Sequence, residues 1–266
     1  AFEPVTKATF SMVDGAIDAA IDKAVSIATD NRPGPVLIDL PVRVAAAEQI
    51  DAAPVRRATP APSAPAGDQL HIARAWLEDS KKPLMIVGVD VLTQGGSEIV
   101  CSFAHDFQIP VLTTYNAKGV FPEDDPLSLG AFGLSPKADE ILMPFIQESD
   151  LVILAGYDPI EMRIGWRNPW AKDQRVIDIA AVPNTHYVHQ APMHFVGDIG
   201  ASLLALSQDI VALENWSKTR AAEVRQNLRT AFTATDAWGA AAVIATARDN
   251  LPRDTRASVD TGAHRI

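Results

Sequence analysis

The chain has 266 residues, 47% of them apolar, and its 33 acidic against 23 basic side chains give a formal charge of −10. That balance excludes a binder of phosphate backbones, which needs a basic face, so no nucleic acid is expected as a partner. The lone cysteine, Cys101, excludes an intrachain disulfide and a multi-cysteine zinc site and fits a reducing, cytoplasmic compartment, and no apolar run approaches the roughly 18–20 residues that span a bilayer, so no membrane is expected.

The first residues, Ala1-Phe2-Glu3-Pro4, carry neither an initiator Met nor the basic and apolar regions of a signal peptide, so the chain is expected to be a trimmed piece. Ile17, Ala20, Ile21, Ala24 and Ala28 recur at helical spacing and predict a helix over 12–30. Arg32-Pro33-Gly34-Pro35 stops it. Val36-Leu37-Ile38-Asp39-Leu40 is a short, almost continuous apolar strand, a type that wants covered faces and neighbouring strands, yet no neighbour is apparent nearby. Residues 52–67 hold Pro54, Pro60, Pro62 and Pro65, which disfavour helix and ladder alike, and read as an extended linker.

Beyond the linker, strands and helices alternate. Helices are predicted over 68–80, 96–107, 137–148 and 199–206; strands over 84–89, 109–114, 151–156, 175–180 and 194–196. Such alternation specifies βαβ units. The expected fold is α/β: a doubly wound, mostly parallel six-stranded sheet, with partial α/β pieces of flanking domains. From residue 212 the composition shifts to a charged helix over 216–232 and a second helix over 238–249, followed by a strand at Ala257–Asp260 and a loop at Thr261–His264. The resulting division is 1–51, a linker at 52–67, a central domain at 68–210, and 211–266.

Ligands of doubly wound sheets lie outside the carboxyl ends of the strands. That rule nominates Gly88-Val89-Asp90, Thr113-Thr114, Gly156-Tyr157-Asp158, Asp178 and Gly197-Asp198. The first turn is not a dinucleotide fingerprint, because Asp90 stands at its second glycine and a carboxylate repels phosphate. Gly88 and Gly156 read equally well as tight turns. Asp178 reads as a ribose ligand or as a cap or turn aspartate. His186, His189 and His194 have a spacing that invites a metal, but Pro192 breaks the element and no cysteine assists, so packing or surface histidines are the stronger reading. Trp166, Trp170, Arg163 and Arg167 form an aromatic and basic cluster, read as a packed loop or oligomer contact ahead of a stacking site for a planar ring. There is no Gly-x-Ser-x-Gly elbow and no Walker lysine.

Several phrases together resemble thiamine diphosphate-dependent enzymes of the acetolactate synthase-like family. Asn31–Pro41 resembles the end of their pyrimidine-binding domain. Lys81–Gly88, Ile109–Thr114 and Lys118–Pro126 resemble their central domain, and Val259–His264 the opening of their diphosphate-binding domain. The resemblance implies a carboligase or decarboxylase acting on 2-oxo acids such as pyruvate, with thiamine diphosphate and Mg²⁺ as cofactors in a homodimer or homotetramer. It implies that Thr261, Gly262, Ala263 and His264 approach the coenzyme's diphosphate. It also implies that the catalytic glutamate and the metal motif lie in missing flanking domains of the same protein, so this polypeptide alone is expected to be inactive. In flavin-containing members the central domain binds FAD, and the matching positions are Arg32, Gly88, Thr114, Gly133, Gly156, Asp178 and Asp198. Asp90, the Gly156–Glu161 segment and Val42 depart from that pattern and argue against FAD, leaving a vestigial or nucleotide-optional pocket. The competing reading is a stand-alone nucleotide-binding or regulatory module; a third is an NAD enzyme of related fold, since one fold hosts many functions.

Overall fold

The computed structural model describes residues 2–48, 61–163, 165–167, 169–211, 216, 218–233 and 238–258. The chain divides into two compact units, Ala1–Ser63 and Ala64–Ile266. No helix among the described residues is long and apolar enough to cross a membrane.

The first unit holds β1 (Ala8–Ser11), α1 (Ile17–Thr29), β2 (Val36–Asp39) and the short α2 (Val42–Ala45). The neighbour that β2 requires is β1, paired in parallel from Ala8↔Val36 to Ser11↔Asp39. It offers only one large apolar residue, Phe10, and so leaves little trace in the sequence. The helix begins at Ile17 rather than Met12, because Gly15 turns the chain at φ 76° and Met12 is buried ahead of it. Lys7 Nζ donates to the carbonyls of Asp30 (2.6 Å) and Arg32 (3.1 Å), which fixes the turn between α1 and β2.

The second unit runs α3 (Asp68–Asp79), β3 (Pro83–Val87), α4 (Asp90–Thr93), α5 (Ser97–Asp106), β4 (Val111–Thr113), β5 (Ser128–Ala131), α6 (Pro136–Glu148) and β6 (Leu151–Ala155). It continues through β7 (Arg175–Ala180), β8 (Met193–Val196), α7 (Ile199–Ser207), α8 (Lys218–Ala231) and α9 (Ala240–Asn250). Six strands form one sheet in the order β5-β4-β3-β6-β7-β8, and every pairing is parallel. The strand that periodicity missed is β5, a short edge strand with Gly130 at φ 81° and a register shift against β4.

The central strands β3 and β6 are buried along their whole length, which explains their unbroken apolar runs. Met85, Val87, Ile153 and Ile177 face one side, under Ala73, Phe103 and Leu203 of α3, α5 and α7. Leu84, Ile86, Val152 and Leu154 face the other, under Leu142 and Phe145 of α6 and Val224 of α8. Each such side chain contributes about 1.5–3 kcal/mol on full burial. Trp216 stacks on Phe145 at 4.2 Å and donates its indole N–H to the carbonyl of Pro83, the first residue of β3. On this second face the crossings from β6 to β7 and from β7 to β8 contain no α-helix among the described residues, only a 3-10 turn at Pro159–Glu161.

Candidate functional site

The strand order reverses between β3 and β6, so the switch-point crevice lies between Gly88 and Gly156. Gly88 N–H donates to Ala155 O at 2.8 Å, and a Cβ at Gly88 would sit 2.1 Å from Gly156 O. At Gly156, φ is 66°, and a Cβ there would lie 2.8 Å from Ile199 Cδ1 and 2.9 Å from Val91 N. Both glycines are therefore required by the close approach of the chain to itself.

Asp90 is fully buried in this crevice, and its Oδ2 accepts from Ala181 N–H at 3.3 Å. Gln94 bridges the far wall: its Oε1 accepts from Ile199 N–H (2.8 Å) and its Nε2 donates to Gly197 O (3.3 Å). Asp198 caps α7 by accepting from Ala201 N–H at 2.7 Å. Two N–H groups in the first turn of α7, those of Ile199 and Ala201, are thus engaged by Gln94 and Asp198, and Asp90 adds a buried carboxylate. These residues do not fit a flavin's diphosphate.

The other nominated positions split up. Arg32 belongs to the first unit, half-buried in the turn held by Lys7. Thr114 is fully buried above β4. Beside it, Glu161 Oε2 accepts from Asn116 N–H at 3.1 Å; burial raises the Glu161 pKa, while the nearby Thr114 hydroxyl and Asn116 N–H oppose the rise. Gly133, at φ 91°, donates its N–H to Asp139 Oδ1 (2.9 Å) and accepts at its carbonyl from Arg163 N–H (3.0 Å). Asp139 is a hub that sequence reading missed: buried in the first turn of α6, it also takes Arg163 Nε (2.9 Å) and Trp166 Nε1 (2.7 Å) on Oδ2.

Asp178 is neither a cap nor a turn residue. It sits within β7 directly opposite His194 of β8, whose Nδ1 meets its Oδ2 at 2.8 Å. That bond raises the His194 pKa above 6.5, with burial opposing. A raised folded-state value means that the pair's stabilisation is fully present below the ordinary histidine range and is lost as pH rises through the raised one. Replacing His194 by alanine is therefore expected to cost about 1 kcal/mol at about pH 5.5 and little at about pH 8.5. Urea melts at both pH values check this; an equal cost at both would contradict it.

The other described histidines divide into one buried and three exposed. His189 is buried, with Nδ1 at 2.8 Å from the Tyr157 hydroxyl and Nε2 bonded to the Trp166 carbonyl. Burial lowers its pKa against the pull of that carbonyl, and in the neutral ring Nε2–H donates to the carbonyl while Nδ1 accepts. Burial, then the carboxylates of Glu161, Asp178 and Asp158, push the Tyr157 pKa well up, which keeps its hydroxyl a donor. His186, His71 and His105 are exposed. Among the described residues no group of three His, Cys, Asp or Glu could hold a metal. Thr261, Gly262, Ala263 and His264 lie outside the described residues.

With this geometry established, comparison with known proteins gives consistent relatives. Residues 70–206 match the family model of the thiamine pyrophosphate enzyme central domain. The probable acetolactate synthase large subunit of Methanocaldococcus jannaschii is 32% identical over 222 residues, 80% of this chain and 37% of that protein. The acetolactate synthase large subunit of Parasynechococcus marenigrum is 28% identical over 279 residues, 99% of this chain and 44% of that one. Among solved structures, benzoylformate decarboxylase from Polynucleobacter necessarius matches with a TM-score of 0.71 at 21% identity, over 95% of this chain and 46% of that chain, a likeness of fold. The chain thus spans less than half the length of these relatives. By its matched central domain and its relatives, the chain belongs to the thiamine pyrophosphate enzymes.

Proposed function

We propose that this chain is part of a thiamine diphosphate-dependent carboligase or decarboxylase of the acetolactate synthase type, acting on a 2-oxo acid such as pyruvate. The observation that carries this reading is the central-domain match at residues 70–206, set within a relative that aligns over 99% of the chain. When bound, thiamine diphosphate supplies the electron sink for decarboxylating a 2-oxo acid. Residues 1–51 then form the end of a pyrimidine-binding domain, 52–67 a linker, 68–210 the central domain, and 211–266 linker helices and the start of a diphosphate-binding domain. Thr261, Gly262, Ala263 and His264 would line the diphosphate side, while the Mg²⁺ ligands and the activating glutamate would come from segments beyond this chain. The whole protein would be a cytoplasmic homodimer or homotetramer.

In this reading the described residues build a scaffold rather than a reaction centre. The hydrogen-bonded hubs at Asp139, Gln94 and Asp198 hold the sheet-end loops in fixed positions, as a rigid support for a coenzyme clasped by neighbouring domains. The central domain is flavin-free, a reading supported by the Asp90 carboxylate in the switch-point crevice and the engaged α7 N-terminus. The same closed crevice gives the nucleotide-binding module no support.

The test uses a full-length protein containing this segment, assayed with pyruvate, thiamine diphosphate and Mg²⁺. Carbon dioxide release with acetolactate formation is expected, without a flavin absorbance band, and residues 1–266 alone should release none. A full-length protein inert towards a panel of 2-oxo acids would overturn the activity; stoichiometric flavin would overturn the flavin-free reading.

A further inference from the structure

The two crossings between β6 and β8, which hold no α-helix among the described residues, leave a groove of about 890 Å³ on the sheet's second face. That volume lies within the range of small-molecule sites, roughly 300–1,000 Å³. The base of the groove is aromatic and held in place. Trp166 is buried with its indole N–H on Asp139, Trp170 donates Nε1–H to Gln190 O at 3.1 Å, and His189 packs edge-on against Trp170 at 5.7 Å. Its mouth carries Arg167 and Lys172, both exposed and, among the described residues, neither paired with a carboxylate.

In a chain with 33 acidic residues, none of the described residues lining this groove is acidic. The remaining cation, Arg163, is already committed to Asp139. Unpaired cations beside low-dielectric walls concentrate a positive field, and a guanidinium matches carboxylate or phosphate oxygens in two parallel bonds. Flat indole surfaces select a flat partner. Tyr187 also lines the groove, 85% exposed and at φ 54°, a conformation uncommon for a bulky side chain.

We propose that this groove binds a planar aromatic anion, with the ring against Trp170 and the carboxylate or phosphate held by Arg167 and Lys172. The inference stands on the groove alone and not on the coenzyme chemistry above. An aryl carboxylate and a nucleoside phosphate share the required chemistry, so both serve as probes.

The experiment titrates the 266-residue chain with 2-naphthoate and with adenosine monophosphate, followed by tryptophan fluorescence and calorimetry. Saturable binding of at least one probe is expected, and which one binds identifies the ligand's source. Adenosine and inorganic phosphate, each lacking half of the recognition chemistry, should bind about tenfold more weakly or less. Combined Arg167→Ala and Lys172→Ala should weaken the bound probe by about tenfold while leaving the melting temperature unchanged, since both side chains are exposed. Trp170→Leu should abolish the fluorescence response and weaken binding. No saturation by either probe, adenosine binding as tightly as its monophosphate, phosphate alone accounting for the affinity, or a double variant that binds like the parent would each overturn the proposal.

Discussion

Gly88→Ala is expected to cost more than about 4 kcal/mol, enough to leave the central sheet largely unfolded. The added Cβ would lie 2.1 Å from Gly156 O, 2.6 Å from Tyr157 Cα and 2.7 Å from Gly156 C. All three are backbone atoms at the end of β6, so no side chain can swing aside. Relief requires the ends of β3 and β6 to part, which stretches Gly88 N–H to Ala155 O and Asp90 N–H to Gly156 O, at 2.8 and 3.3 Å. Overpacking of this kind, against a hydrogen-bonded main chain at the middle of the sheet, has no cheap relaxation. Gly96→Ala is the matched control. Its Cβ would meet nothing nearer than Val91 Cγ1 at 3.5 Å, an ordinary contact, so a cost within about 1 kcal/mol is expected. Urea melts of the two variants settle the matter: equal stabilities would refute the reading of Gly88 as a closure point.

Asp139→Ala is expected to cost about 3 kcal/mol. The carboxylate is 3% exposed and takes three donors, from Gly133, Arg163 and Trp166, at 2.9, 2.9 and 2.7 Å. Removing it leaves the buried Trp166 indole N–H and the Gly133 N–H without acceptors, and the half-exposed Arg163 without its partner. The two N–H groups account for most of the loss, because Arg163 can turn to water. Asp139→Asn tests whether shape or charge matters: its amide nitrogen must face at least one of these donors, so it should recover less than half of the deficit. Full recovery by asparagine would show that the hub needs only a polar filler. Trp166 emission should shift to the red in both variants as the β6–β7 crossing loosens.

Parts of this architecture can be read directly from residue order. The unbroken runs Leu84–Val87 and Leu151–Ala155 announce strands buried on both faces, and the alternation around them leaves the doubly wound sheet as the economical solution. Elements with weak patterns escape: β1 has a single large apolar residue, and β5 is interrupted by Gly130. The site shows the same division. Asp90 is already conspicuous in the sequence as a carboxylate where a phosphate-binding turn needs glycine. The role of Asp139 is not legible, because an acid in a first helical turn already has a local explanation in the helix dipole. Two of its three partners lie 24 and 27 residues onward, a separation at which spacing carries no information. The aromatic and basic cluster divides for the same reason: Arg163 and Trp166 turn inward to that carboxylate, while Arg167 is left exposed.

The stacking of Trp216 has a mechanical corollary. Its indole fastens a residue beyond α7 to the one at which β3 begins, while its ring packs on Phe145 of α6. The start of β3 and the residue beyond α7 therefore cannot part without giving up both that hydrogen bond and the ring contact on α6.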